Sequence, residues 1–321
     1  MGQRMIVTGV AGFIGSHIAE RLLARGDEVV GIDCLTDYYD ARQKRANLAN
    51  LLSHPRFTWL EEDLVGCDLA RLMEGVRCVF HQAAQAGVRA SWGEEFDHYI
   101  HHNIAATQRL LEAAKGRRGL RIVYASSSSV YGDVDRVPMR EDDRPAPHSP
   151  YGVTKLAAEH LCRLYTRNFG VETVSLRYFT VFGPRQRPDM AIHRFIRACL
   201  TRGKLELYGD GTQRRDFTHV ADIVDANLAS AERGAPGGVY NIGGGNLIDV
   251  NALIETIVKL CGNRATIDRQ AVQKGDVRQT LADISAARRD LGYEPKVGLD
   301  EGLQTEIEWM RQFLQEARAA G

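Results

Sequence analysis

Met5-Ile6-Val7-Thr8-Gly9-Val10-Ala11-Gly12-Phe13-Ile14-Gly15-Ser16-His17-Ile18 passes from a short apolar run through a glycine turn into a segment of helical period. Its spacing is GxxGxxG. Between a first strand and a first helix, such a turn lets backbone N–H groups and the helix N-terminus face a pyrophosphate. Gly9, Gly12, Phe13, Ile14 and Gly15 are therefore candidate cofactor residues. Ile14, Ile18 and Leu22 follow at i, i+4 and i+8, one apolar stripe to lay on a sheet. Outward from this unit, short apolar runs alternate with longer helical ones. Strands are expected at 5–8, 28–33, 57–61, 78–82, 121–126, 173–177 and 238–242. That alternation predicts an α/β doubly wound parallel sheet, its strands covered on both faces.

The chain has 321 residues, which at roughly 150 per domain suggests two. Lys plus Arg and Asp plus Glu each number 41, so no overall field draws the molecule to nucleic acid or anionic lipid. Residues 177–217, read as loop-rich, carry nine Lys or Arg against four Asp or Glu, so any anion site is built locally. Beyond them a helix is expected over 220–231, and helices over 249–261 with Asp249 as N-cap, 285–291 closed by Gly292, and 300–318. The six cysteines form no CxxC pair, which argues against a disulfide framework or a zinc site and for the cytoplasm. The first apolar run is too short for a signal-peptide core and no run approaches 18 apolar residues, so neither secretion nor a membrane span is expected.

Asp33 ends the second strand, where a carboxylate accepts both ribose hydroxyls of an adenosine and repels a 2′-phosphate; NAD is favoured over NADP. Asp63 and Leu64 follow the third strand, where an acid can receive an adenine amino group. His81 reads as a packed strand-end residue, and the small Ala83 and Ala84 before Gln85 let backbone pass close to a dinucleotide. Tyr151 and Lys155 lie one helical turn apart on one face, behind Pro150 as helix starter. A cation about 5 Å from a phenol, at an effective dielectric of about 20, is worth roughly 3 kcal/mol, or about two pKa units. Ser126, Ser127, Ser128 and Ser129 follow the fifth strand at the sheet edge where ligands of such folds bind, and one hydroxyl there can hold a substrate oxygen beside Tyr151.

Three motifs together, TGxxGxxG at 8–15, YASSSSVYG at 124–132 and SPYGxxK at 149–155, resemble the extended short-chain dehydrogenase/reductase family of nucleotide-sugar epimerases and dehydratases over essentially the whole chain. The resemblance implies a Rossmann-like domain over 1–176 and about 218–243, and a smaller mixed α/β substrate-binding lobe over about 177–217 and 244–321. It assigns Tyr151 as catalytic base, Lys155 as its partner and an NAD-ribose ligand, and Ser127 as the hydroxyl assisting proton transfer. Asn103 becomes a structural or cofactor-side residue and Tyr178 a wall of the nicotinamide pocket. Dehydratases of the family carry an Asp-Glu pair where this chain has Ser128 and Ser129, so elimination loses its acid and base. The stretches 83–89 and 177–191 look most like UDP-glucuronate 4-epimerases, in which Thr180 with Arg187, Arg185 or Arg89 would meet a sugar carboxylate. Arg215 and Arg278, the latter in Gly275-Asp276-Val277-Arg278, would grip the diphosphate of a UDP-sugar. Cys34 departs from relatives, which often carry Asn there.

The expected activity is reversible C4 epimerisation of UDP-glucuronate to UDP-galacturonate through a 4-keto sugar with tightly bound NAD. Three rivals remain. A UDP-glucuronate decarboxylase would release carbon dioxide from the same intermediate, and a UDP-glucose or UDP-N-acetylglucosamine 4-epimerase would act on neutral sugars. A non-catalytic sensor would keep its output without Tyr151. The resemblance further implies a homodimer contacting through 105–114 and 156–164; charge balance, cysteine spacing and short apolar runs add the expectation of a cytoplasmic molecule with no nucleic acid or membrane partner and no metal.

Overall fold

The computed structural model describes residues 2–134, 136–271, 275 and 277–319. Twelve strands run through it: β1 (Arg4–Thr8), β2 (Glu28–Asp33), β3 (Phe57–Glu61), β4 (Val76–His81), β5 (Arg121–Ser127), β6 (Glu172–Tyr178), β7 (Val181–Phe182), β8 (Lys204–Tyr208), β9 (Arg214–His219), β10 (Gly238–Ile242), β11 (Asn246–Asp249) and β12 (Thr266–Gln270). Seven form one sheet in the order β10-β6-β5-β4-β1-β2-β3, with every pairing parallel. The chain leaves β1 toward β2 on one side and returns to β4 on the other, which opens a crevice at their carboxyl ends. Successive residues of β1 serve opposite faces. Met5 and Val7 join one buried core and Ile6 the other, the period of two that a doubly covered strand requires.

Every expected strand of this sheet is present to within two residues at its ends. The region 177–217 differs from expectation. It holds β7, β8, most of β9 and a helix, Ala191–Thr201, whose Ile192, Phe195, Ile196 and Cys199 are buried. Those positions fall at i, i+3, i+4 and i+7, an amphipathic helix hidden in the sequence among Arg194, Arg197 and Arg202. β11 and β12 were also not expected; β12 is mostly exposed, so no apolar alternation marks it.

β11, β9 and β7 form a three-stranded sheet and β12 pairs with β8. A third core, including Phe182, Phe195, Leu253 and Leu303, lies among these strands and the later helices. Helix Val250–Cys261 begins where Asp249 accepts from Ala252 N, and helix Ser285–Leu291 ends at Gly292 with φ +63°. No helix among the described residues is long and apolar enough to cross a membrane.

Candidate active site

The turn after β1 is folded tightly against the end of β4. Gly9 sits at φ +67°, and a Cβ there would lie 2.7 Å from Ala83 N; one at Gly15 would lie 2.2 Å from Gly9 O. Only glycine fits such a cradle. Gly12 caps helix Phe13–Ala24 without any side-chain bond to its first N–H groups, which face the cleft as anion donors. Asp33 accepts from Ala11 N (3.1 Å) and Leu35 N (2.9 Å), while burial raises its carboxyl above the usual range. Leu64, Ala83, Ala84, Gln85, Ser126, Tyr151, Lys155 and Tyr178 line the same cleft. The groups present thus fit a dinucleotide with free ribose hydroxyls.

Three residues stand outside the cleft lining, Asn103 and His81 in the structural roles expected of them and Asp63 apart from its expected place. Asn103 is buried and does not line the cleft; it accepts from Gln85 N (2.7 Å) and donates to Gln85 O (3.0 Å) and Thr154 Oγ1 (2.9 Å), fixing the cleft wall. Asp63 accepts from Val65 N (2.8 Å) and bonds His101 (2.8 Å), beside rather than within the cleft. His81 is packed between Thr8 (2.8 Å) and Thr107 (3.0 Å), and burial pushes it down to about 3.

Tyr151 and Lys155 stand on helix Pro150–Phe169. Ser149 caps it by accepting from Gly152 N, Pro150 opens it, and Gly170 at φ +68° closes it. Lys155 Nζ donates to Ala125 O (2.8 Å) and lies 6.0 Å from the Tyr151 ring centre. Burial pushes Lys155 down to about 7. Burial also raises Tyr151 above its ordinary value, and the groups that pull it back are Arg187 and a hydrogen bond from Ser127. The expectation pairs Lys155 with an oxidised nicotinamide as the charges on the phenol; in the protein alone the nearby cation that draws Tyr151 down is Arg187, while Lys155 is desolvated. Beneath the pair, Ser126 donates to Glu159 (2.8 Å), which is locked to Arg177 at 2.6 Å with both side chains nearly inaccessible.

A second cleft opens on the other side of Tyr151. Phe13, Ile14, Ser126, Tyr151, Tyr178 and Arg187 line both. Arg89, Ser127, Ser128 and Thr180 line the second and not the first, and the Arg89 guanidinium lies 4.0 Å from the Tyr208 ring centre. Arg187 donates twice to Asp189, at 3.0 Å from Nε and 3.0 Å from Nη2, and Tyr38 donates to the same carboxylate at 3.3 Å. That fork keeps Arg187 charged against its partial desolvation, and Asp189 ionised. Arg215 lines an adjoining recess with Ser128, Ser129 and Thr180.

Two expected arginines are not brought to the cleft. Arg185 adopts φ +69°, and its guanidinium bonds Glu20 on the first helix (2.7 and 2.8 Å). Arg278 is exposed and contributes its backbone, donating from N to Asp133 (3.3 Å) and accepting from Arg215. Asp276 lies outside the described residues. Sequence reasoning missed Asp189, Tyr38 and Glu159. Glu159 stands eight residues, two turns, after Tyr151 on one helical face, which is a usable signal; nothing local in the sequence joins Tyr38 to Asp189.

A family model described as the NAD dependent epimerase/dehydratase family matches residues 5–243. Among curated proteins the chain is 44% identical over 316 residues to an uncharacterised UDP-glucose epimerase, YtcB, of Bacillus subtilis, covering 97% of this chain and 99% of that one. It is 39% identical over 317 residues to a UDP-glucuronate 4-epimerase of Thermodesulfobacterium geofontis, covering 97% of each. Among solved structures, the UDP-glucuronic acid 4-epimerase of Bacillus cereus in complex with UDP-glucuronic acid and NAD superposes with a TM-score of 0.94 at 43% identity, covering 97% of this chain and all of that one.

Proposed function

Because this chain belongs to the NAD dependent epimerase/dehydratase family, we propose that it interconverts UDP-glucuronate and UDP-galacturonate by inversion at C4. The observation that carries the reading is Arg187, a fixed cation lining both clefts beside Tyr151. NAD, when held by the Gly9–Gly15 turn, Asp33, Tyr178 and Lys155, supplies reversible hydride transfer at the sugar carbon, so net redox change is zero. Tyr151 as phenolate takes the proton of the 4-hydroxyl and returns it after the 4-keto ring has turned over. Ser127 bonds the same oxygen and shares its developing charge. Arg187 and Thr180 receive the carboxylate; two of the five guanidinium donors are spent on Asp189, and the others remain for substrate. Arg89 and Arg215 supply the charge for the diphosphate.

A 4-keto-uronate is a β-keto acid and loses carbon dioxide when its carboxylate stands perpendicular to the ketone. A second reading, a neutral-sugar epimerase, is favoured by the name of the Bacillus subtilis relative. Incubating the full chain and NAD with UDP-glucuronate and, in parallel, UDP-glucose separates them. UDP-galacturonate as main product is expected; carbon dioxide with a UDP-pentose, or faster turnover of the neutral sugar, contradicts the proposal.

The domain division follows the same reading, with residues 1–176 and about 218–243 for NAD and the remainder for the UDP-sugar. Homodimerisation is proposed on the exposed apolar side chains Ile100, Val153, Leu164 and Phe169, along helices 106–114 and 150–169 and the turn before the first of them. Cytoplasmic placement is proposed on six free cysteines.

A further inference from the structure

We propose that Cys34, Asp63 and His102 form a binding site for a soft divalent cation, zinc above all, at the adenosine end of the dinucleotide cleft, and that the cation and NAD exclude each other there. The sequence hides this set because its members come from three separate segments: just past β2, just past β3, and the helical turn Ile100–Ala105. The fold brings one sulfur, one carboxylate oxygen and one imidazole nitrogen within 4.8 Å of one another. Tetrahedral zinc with Zn–S of about 2.3 Å and Zn–N of about 2.0 Å needs donor separations of about 3.5 Å, so rotations moving each donor by roughly 1 Å close the site. Thiolate, imidazole and carboxylate is a donor set that suits zinc and disfavours magnesium or calcium.

The surroundings support a cation. Asp63 is already bonded to His101 at 2.8 Å, the outer histidine–carboxylate contact that orients a ligand. On binding, Cys34 gives its S–H proton to solvent as the Zn–S bond forms, and no electron is transferred. All three side chains are partly exposed, so the ion has a path in. Exclusion follows from position: Cys34 and His102 line the same cleft as Gly9, Gly12 and Asp33. This second half rests on the assignment of that cleft to NAD; the metal site itself does not.

Cobalt(II) is the probe, because a cobalt–thiolate bond gives a charge-transfer band in the near ultraviolet that oxygen and nitrogen ligands do not. Full-length protein freed of NAD is expected to bind one cobalt with this band, and zinc should displace it. Saturating NAD should lower the apparent cobalt affinity at least about tenfold. Cys34→Asn should lose the band and His102→Ala should weaken cobalt at least about tenfold, with thermal midpoints confirming that both variants fold. Absence of the band in wild type, or its persistence in Cys34→Asn, overturns the site. A band at undiminished cobalt affinity in NAD-saturated protein overturns the exclusion.

Discussion

Lys155 and Arg187 approach one phenol from two regions built on different terms. The lysine rises from a helix packed on β5, its ammonium bonded to a backbone carbonyl, and burial drives it down to about 7. The arginine hangs from the loop after β7, pinned by the Asp189 carboxylate, and stays charged. A desolvated cation keeps its charge only when an anion is supplied with it. In the protein's own architecture, therefore, Arg187 is the standing positive charge at Tyr151, while Lys155 is a group whose charge depends on what enters the cleft.

The strongest way to break this comparison is to remove the group both cations act on. Tyr151→Phe should cut turnover of UDP-glucuronate by at least about 10³-fold while NAD binding, followed by cofactor fluorescence, survives. Next, each region has its own ion pair, and the two should fail differently. Glu159→Gln unpairs Arg177 in the dry interior below the helix and should cost about 3–5 kcal/mol in urea unfolding. Asp189→Asn loosens a partly exposed pair and should leave stability within about 1 kcal/mol. Its effect should fall on the acidic substrate, with KM for UDP-glucuronate rising about tenfold, kcat on UDP-glucose little changed, and partial recovery in Asp189→Glu.

The smallest expected effect sharpens the lysine half. Unfolded lysine titrates near 10.5 and folded Lys155 near about 7. Between those values the unfolded chain binds the extra proton, so this group makes stability rise with pH across that window, and its penalty is complete below it. Lys155→Met should remove that slope and raise the urea midpoint more at pH 6.5 than at pH 10. An equal gain at both would show that Lys155 is not desolvated in the folded protein.

The dinucleotide region was legible in the sequence because it is made of backbone. Gly9 and Gly15 occupy positions where a Cβ meets main chain below 3 Å, and Asp33 ends a strand whose apolar run announces itself. The sugar region was legible only in part. Thr180 and Arg187 line the cleft beside Tyr151, but Arg185 has the same charge and, at a left-handed backbone angle, bonds Glu20 instead. The helix 191–201 was lost among arginines, and Tyr38 meets Asp189 across 151 residues of chain. Cys34, Asp63 and His102 show the same limit, since motif spacing detects metal sites built from neighbours in sequence and not those assembled by a sheet edge.

The most direct measurement is the ratio of kcat/KM for UDP-glucuronate to that for UDP-glucose, in wild type and in Arg187→Met. Loss of the fixed cation should lower that ratio by at least about tenfold, as one charge-assisted carboxylate contact worth upwards of about 1.4 kcal/mol disappears from the acidic substrate alone. An unchanged ratio, with both substrates slowed equally, would mean that Arg187 serves Tyr151 only and that the carboxylate is met elsewhere.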